Sequence, residues 1–188
     1  MTVATARRIV EPIEVHISPM RRRHLRSVLR IEGQVYPTPW THGLFVSELA
    51  LRSTRAYVVA RVGRDVVGYA GLMMSLNDGH VTTVAVDPDW QRTGIATRML
   101  LALAREAIAR GANALTLEVR LSHHGAQRLY QRFGFTAVGV RKGYYADSGE
   151  DALIMWAHEV DQPDYAALLD RLEQGMSGTT VFERPKSW

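Results

Sequence analysis

A stretch of seventeen residues, VAVDPDWQRTGIATRML (84–100), places small residues beside a basic side chain where a strand-like run gives way to a helix. The amides of a helix's first turn have no partner within the helix, and the helix dipole places partial positive charge there. Gly94 and Ala96 would let an anion approach these amides closely, and Arg92 adds a charge. Two interpretations stand: a tight turn, or a cradle for phosphate oxygens.

Two side chains capable of acid–base chemistry follow this stretch. In the strand-like segment 114–119 the leucines share one face, so Glu118 shares the other face with Thr116 and Arg120. Glu118 either pairs with Arg120 on an exposed face, which the strand alone favours, or acts as a general base in a cleft. Tyr130 lies on the apolar stripe of the next predicted helix. It is either a core residue or a phenol that donates a hydrogen bond into the same cleft.

Hydrophobic periodicity predicts the elements that must position these residues. The expected order is β-α-α-β-β-β-α-β-α-β-β, a mixed α/β domain over about residues 13–160. Strands near 80–86 and 114–119, with the helix after Gly94 between them, form a βαβ unit. Such a unit predicts parallel strands joined by a right-handed crossover.

Local signals fix some boundaries. Thr41 is the expected N-cap of the second helix, and Gly63-Arg64-Asp65 is the expected turn of a hairpin. Residues 1–12 and 161–188 are treated as extensions of the domain. The second extension is expected to carry a short helix near 165–174 and to finish irregularly.

Composition narrows the class of protein. The chain has 188 residues, 46% of them hydrophobic and 22% charged, a net charge of +4 and no cysteine. These values favour one globular domain and leave no cysteine nucleophile, disulfide or thiolate metal site. No signal peptide or long apolar run is present, so the expected compartment is the cytoplasm, without membrane contact. The arginines at 21–23, 26 and 30 are interpreted as a solvated helix face, which we favour over a nucleic-acid groove.

Three segments taken in order, VAVDPDWQRTGIATRMLLAL, LEVRLSHHGAQRLYQRFGF and RKGYYADSGEDALIM, resemble the GCN5-related N-acetyltransferase (GNAT) superfamily. Within it, they resemble ribosomal-protein-alanine N-acetyltransferases of the RimI type. The resemblance covers about residues 13–157. It implies the GNAT fold, a mixed and mostly antiparallel central sheet with a β-α-β core that binds acetyl-CoA. It also implies transfer of acetyl from acetyl-CoA to the N-terminal α-amine of a protein, an alanine-led ribosomal protein being the favoured acceptor.

The resemblance also implies roles for individual residues. Glu118 matches the general base and Tyr130 the general acid. The positions that match the acetyl-CoA site are Val84, Ala85 and Val86, through backbone pairing with the pantetheine arm, and Gln91, Arg92, Gly94, Ile95 and Ala96, at the pyrophosphate. The positions that border the acceptor peptide are Pro39, Trp40, Tyr144 and Tyr145. No metal site is implied.

Two positions and three rival functions stay open. His123 stands where the family usually has asparagine beside the cofactor arm, and it is also interpreted as a polar helix entry. Glu32 is favoured as a solvated edge residue, with contact to the acceptor ammonium as the alternative. The rival functions are acetylation of lysine side chains, polyamines or small amines, a catalytically silent acyl-CoA-binding module and, last, nucleic-acid binding.

Overall fold

The computed structural model describes residues 12–183, which form an α/β structure around one sheet of eight strands. The strands are β1 (Glu14–Pro19), β2 (Arg55–Val62), β3 (Asp65–Ser75), β4 (Asp78–Val86), β5 (Ala114–Arg120), β6 (Thr136–Tyr145), β7 (Glu150–His158) and β8 (Thr179–Phe182). The helices are α1 (Leu25–Val35), α2 (His42–Ala50), α3 (Ile95–Ala109), α4 (His124–Arg132) and α5 (Pro163–Gln174).

Local chemistry sets the element boundaries much as the sequence predicts. The Thr41 hydroxyl accepts a hydrogen bond of 3.2 Å from the Leu44 amide, which confirms the predicted N-cap of α2. The predicted hairpin joins β2 to β3 through Gly63, whose φ of +57° suits glycine. The helix near 165–174 is also confirmed, and it begins two residues earlier, at Pro163.

The sheet has the order β6-β7-β5-β4-β3-β2-β1-β8. Its neighbours run antiparallel except for two pairs, β4 with β5 and β1 with β8. The mixed, mostly antiparallel sheet and the parallel βαβ unit are therefore confirmed. The β4–β5 ladder is short, because it includes only three residue pairs, from Asp78↔Ala114 to His80↔Thr116.

The core lies in two layers, one on each face of the sheet. On one face α1 and α2 pack through Val28 and Phe45, both 0% exposed. On the other face α3, α4 and α5 bury their apolar stripes in a second cluster, which includes Met99, Phe133 and Leu169. Among the residues that the structure describes, no helix has the length and apolar character needed to cross a membrane.

The C-terminal segment corrects one expectation. Residues 179–182 do not finish irregularly, because they form β8 and pair in parallel with β1 at the edge of the sheet. Helix α5, which precedes this strand, is tied to the end of α4, because the Tyr165 hydroxyl donates to the Phe133 carbonyl at 3.0 Å. The predicted extension 1–12 lies outside the described residues except for its last residue, as do the final five residues of the extension 161–188. The division into a domain at 13–160 and two extensions stays a prediction.

Candidate active site

A cleft opens where β4 and β5 separate. Beyond the pair His80↔Thr116 the two strands no longer share hydrogen bonds, and a cavity of about 720 Å³ lies there. The side chains that line it come from five places in the chain: Glu32, Tyr36 and Trp40 from α1 and the loop after it, His80 and Val84 from β4, Glu118 and Arg120 from β5, His123 and Tyr130 from the N-cap and the last turn of α4, and Tyr144 and Tyr145 from the end of β6.

Glu118 occupies the wall of the cleft formed by β5. Its carboxylate is 17% exposed and is contacted by His80 Nε2 at 3.1 Å and, more loosely, by Arg141 Nη1 at 3.7 Å. The expected pair with Arg120 is wrong. Arg120 instead donates from Nη2 to both carboxylate oxygens of Asp147, at 2.7 and 3.0 Å, because that carboxylate in the β6–β7 turn lies directly beside the guanidinium.

His80 is a residue that sequence reasoning missed. Its Nδ1 atom is hydrogen-bonded to the Thr116 hydroxyl at 2.8 Å, on the neighbouring strand. A lone pair on Nε2 facing the carboxylate of Glu118 would be repulsive, so we assign the proton to Nε2. Nδ1 then accepts from Thr116, and His80 presents a donor to Glu118. The chain Thr116–His80–Glu118 holds Oε2 of Glu118, and the looser contact from Arg141 is to Oε1.

Tyr130 combines the two interpretations that its sequence position allows. Its ring is 8% exposed and packs in the core beside Phe135, with ring centroids 5.9 Å apart. Its hydroxyl makes no hydrogen bond to any described residue, although the side chain lines the cleft. Burial raises the pKa of Tyr130 well above its usual value, so this phenol is a neutral donor at physiological pH.

Glu32 is buried, so the expected solvated edge position is wrong. It is only 3% exposed, and its Oε1 atom accepts a hydrogen bond of 2.8 Å from the Trp40 amide. Burial raises the pKa of Glu32, and the hydrogen bond from Trp40 opposes that shift. Oε2 has no hydrogen-bond partner among the described residues. The hydrogen bond between the Trp40 amide and Glu32 holds the proline-rich loop 36–40 against α1 at one rim of the cleft.

The tyrosines 144 and 145 form the opposite rim, and one expected rim residue does not reach the cleft. The two rings meet edge to face with centroids 5.1 Å apart, and the Arg120 guanidinium lies 3.9 Å from the centroid of Tyr145. Burial raises the pKa of Tyr145 to about 12. Pro39 is exposed and does not line the cleft, whereas Pro37 does.

Tyr36 is a second residue that the sequence did not single out. Its hydroxyl donates to the Val84 carbonyl at 3.2 Å and lies 3.1 Å from the Thr83 hydroxyl. Since Val84 is free of β5 at this point, its carbonyl faces the cleft and takes a side-chain donor in place of a strand. The side chain of Ala85 points away into the α1–α2 core, where it is 1% exposed. Ala85 can therefore take part in binding only through its backbone.

The stretch 91–96 lies at the far end of β4, outside the residues that line the cavity. Gln91 donates to the Val86 carbonyl at 3.4 Å, and the backbone turns through Arg92 (φ +66°) and Gly94 (φ +82°) before α3 begins. Gly94 is the N-cap of α3 and offers no side chain to the first-turn amides. The side chain of Ile95 is buried in the core, so Ile95 can contact a bound phosphate only through its backbone amide.

His123 stands at the entry of α4, as one of its two interpretations from the sequence predicts. It is the N-cap of α4, and its Nδ1 atom accepts a hydrogen bond of 3.2 Å from the Ala126 amide. Its ring also lines the cleft, which leaves Nε2 for a ligand. A contact with a cofactor arm therefore stays a prediction.

The residues 25–135 match the model of the acetyltransferase (GNAT) family. The chain is 33% identical over 141 residues to the ribosomal protein bS18-alanine N-acetyltransferase of Escherichia coli, a match that covers 74% of this chain and 94% of that protein. It is 37% identical over 147 residues to the N-alpha-acetyltransferase RimI of Mycobacterium tuberculosis, covering 75% and 90%. The crystal structure of the E. coli enzyme superposes with a TM-score of 0.70 at 31% identity, over 77% of this chain and 94% of that one.

Proposed function

Because the chain belongs to the acetyltransferase (GNAT) family and is an acetyl-CoA-dependent N-acetyltransferase, we propose that its acceptor is the N-terminal α-amine of a protein. The favoured acceptor is an alanine-led ribosomal protein, by similarity to the E. coli relative. An acceptor of this kind would place the enzyme in the cytoplasm.

One observation carries the proposal: the cleft brings a fixed carboxylate and an unpaired phenol together between two strands that have separated. Glu118 is held from one side by His80, and Tyr130 offers a free hydroxyl from α4. A general base and a hydrogen-bond donor in one cleft are what acyl transfer to an amine requires. Their joint presence also counts against a catalytically silent binding module.

The structure offers matching groups for acetyl-CoA along β4 and at α3. The edge of β4 beyond His80 has lost its partner strand, so its backbone can pair with an extended pantetheine arm. At the end of β4, uncapped amides of the first turn of α3 and the exposed Arg92 suit a pyrophosphate. When bound, acetyl-CoA would supply the thioester that is attacked.

The first chemical task is to remove a proton from the acceptor ammonium. An α-amine has a pKa near ~8, against about 10.4 for lysine, so its neutral form costs roughly 3 kcal/mol less at neutral pH. We assign this proton to Glu118, directly or through one water. The freed amine would attack the thioester carbonyl, and as the C–S bond breaks the nitrogen would lose its second proton to solvent. We propose that transfer is direct, since the chain has no cysteine to carry the acetyl group as a thioester and the amine itself can attack acetyl-CoA.

The second task is to stabilise the leaving thiolate. A thiol has a pKa near ~8.5, far below that of the buried phenol of Tyr130, so complete proton transfer from Tyr130 would be uphill. A hydrogen bond from its hydroxyl to the sulfur stabilises the departing charge without that cost. The proton that the thiolate finally takes can come from solvent.

The rims of the cleft favour an extended peptide as the acceptor. Trp40, held by Glu32, stands on one side, and the rings of residues 144 and 145 stand on the other. Prolines stiffen the first loop and lower the ordering cost of binding, while flat aromatic rings contact a peptide backbone well. Such a groove suits a chain terminus better than a branch from the middle of a peptide.

A pair of peptides tests the acceptor. One begins with alanine and contains an internal lysine; the other has the same sequence with a blocked N-terminus. Incubation of each peptide with acetyl-CoA and the protein, read by fragment mass spectrometry, should locate acetyl on the α-amine of the first and give no product with the second.

Two outcomes would contradict the proposed acceptor. Preferential acetylation of the internal lysine in the blocked peptide would overturn the α-amine assignment in favour of a lysine acetyltransferase. A polyamine acetylated faster than both peptides would overturn the peptide groove.

A further inference from the structure

Arg98 is a charged side chain buried within α3, and the proposed chemistry does not use it. It is 1% exposed, and burial lowers its pKa. No acidic side chain among the described residues forms an ion pair with it. A buried guanidinium without a carboxylate is costly unless other acceptors satisfy it.

The acceptors for Arg98 are neutral, and two of the three come from the C-terminal segment. Nε donates to the Thr180 hydroxyl at 2.8 Å, and Nη2 donates to the Ser177 carbonyl. Nη1 donates to the Thr93 carbonyl at 3.4 Å. Arg98 therefore bridges the start of β8 to the loop that precedes α3.

The same guanidinium supports that loop from beneath. A Cβ atom built on Gly94 would lie 2.7 Å from Arg98 Nη1, so the group fills the space directly under the αL turn. Arg92 and Gly94 both have positive φ angles, a backbone shape that needs support from its surroundings. Thr93, whose carbonyl Arg98 holds, lies between them.

We propose that residues 177–182, here called the C-terminal latch, act through Arg98 to hold the loop 92–94 in the shape that receives the pyrophosphate of acetyl-CoA. Arg98 and Thr180 are thus positioning residues for the donor substrate. The inference rests on the proposed use of the first turn of α3 as the phosphate site.

Two adjacent threonines provide a matched test. Thr180→Val removes the hydroxyl that Arg98 uses and keeps the β-branched shape. Thr179→Val makes the same change on an exposed side chain whose backbone amide still bonds the Ile13 carbonyl. Calorimetry should show that Thr180→Val raises the Kd for coenzyme A about fivefold, because the loop loses part of the free energy of one charge-assisted hydrogen bond. Thr179→Val should leave this Kd unchanged. Thr180→Ser, which keeps the hydroxyl, should restore the wild-type value.

A donor without pyrophosphate separates positioning from general damage. With acetyl-CoA, Thr180→Val should raise the donor KM and leave the peptide KM unchanged. With acetyl-pantetheine, which lacks the pyrophosphate, the variant and the wild-type protein should have equal kcat/KM.

The failures are distinguishable. An equal loss with both donors would overturn the latch and make Thr180 a plain stability residue, as would an unchanged Kd in Thr180→Val. If that variant does not fold, Thr180→Ala is judged by the same two comparisons. Wild-type protein that binds coenzyme A no better than pantetheine would instead overturn the proposed phosphate site.

Discussion

At the scale of single residues, the carboxylate of Glu118 depends on a histidine at the point where the sheet opens. His80 and Thr116 face each other in the last pair of the β4–β5 ladder, and His80 reaches from there to Glu118. The contact engages Oε2, while Oε1 has only the looser contact with Arg141 at 3.7 Å, for which an acceptor can compete. A carboxylate held in one rotamer loses less entropy when it binds an ammonium or a water.

Glu118→Gln tests whether this carboxylate removes a proton. An amide cannot accept the proton, so turnover should fall about a hundredfold near pH 6.5, where the α-amine is mostly protonated. As the pH rises above the pKa of the amine, solvent supplies neutral acceptor and the loss should shrink. The measurement is kcat/KM for the peptide between pH 6 and 9.

The Kd for coenzyme A serves as the control, because Glu118→Gln should leave it unchanged. A loss of equal size at every pH would assign Glu118 to substrate positioning and not to proton removal.

At the scale of elements, the loop between α1 and α2 depends on one buried carboxylate. Glu32 ends a helix face that is otherwise apolar, and its Oε1 atom takes the amide of Trp40, while Oε2 has no partner among the described residues. The geometry allows two roles, holding the loop and attracting an ammonium, and two substitutions separate them.

Glu32→Gln keeps a side-chain oxygen for the Trp40 amide and removes the negative charge. We expect it to raise the KM of the alanine-led peptide about tenfold, because an ammonium then loses a charge-assisted partner, and to leave the KM of acetyl-CoA unchanged. Steady-state kinetics with each substrate varied in turn gives both values.

Glu32→Ala is the companion variant, and it should lose the loop contact as well. A wild-type peptide KM in Glu32→Gln beside a raised KM in Glu32→Ala would reduce Glu32 to a support for the loop.

At the scale of the whole molecule, one buried histidine links global stability to pH. His24 is 8% exposed, and its Nδ1 atom accepts from the Arg21 amide. Burial, together with the charges of Arg23, Arg61 and Arg21, lowers the pKa of His24 to about 4, and Glu183 opposes this only weakly. The unfolded chain, with an ordinary pKa near ~6.5, binds the proton more readily than the folded one between these values.

Stability should therefore be complete above about pH 6.5 and fall as the pH drops towards 4. From pH 7 to pH 5 this group alone should remove about 2 kcal/mol from the free energy of unfolding. Urea unfolding of the wild-type protein and of His24→Asn, which keeps an acceptor for Arg21, measures the difference. An equal pH dependence in both proteins would show that other groups govern it.

The order of elements up to β7 follows from the sequence because each carries its own periodicity, turn or cap. Strand β8 escaped prediction because four residues contain too little pattern, and its pairing depends on the free edge of β1. In the site, the resemblance pointed to Glu118 and Tyr130, whereas His80 could be found only from the register that brings β4 beside Thr116. The predicted ion pair between Glu118 and Arg120 was wrong because spacing along one strand cannot show which carboxylates from other elements compete for the same arginine. Here Asp147 and Glu150 bind Arg120.

The pairing of β8 with β1 also has a consequence for biosynthesis. Glu14 lies beside Thr179, so the last strand of the described chain completes the sheet against the first. Since a polypeptide emerges from the ribosome N-terminus first, every other described element is outside before residues 177–182 can bind Arg98. A nascent chain could fold most of its sheet while Arg98, beneath Gly94, still lacks its hydrogen bonds to the C-terminal latch. If the proposed latch holds, full affinity for the acetyl donor requires that residues 177–182 have left the ribosome and paired with β1.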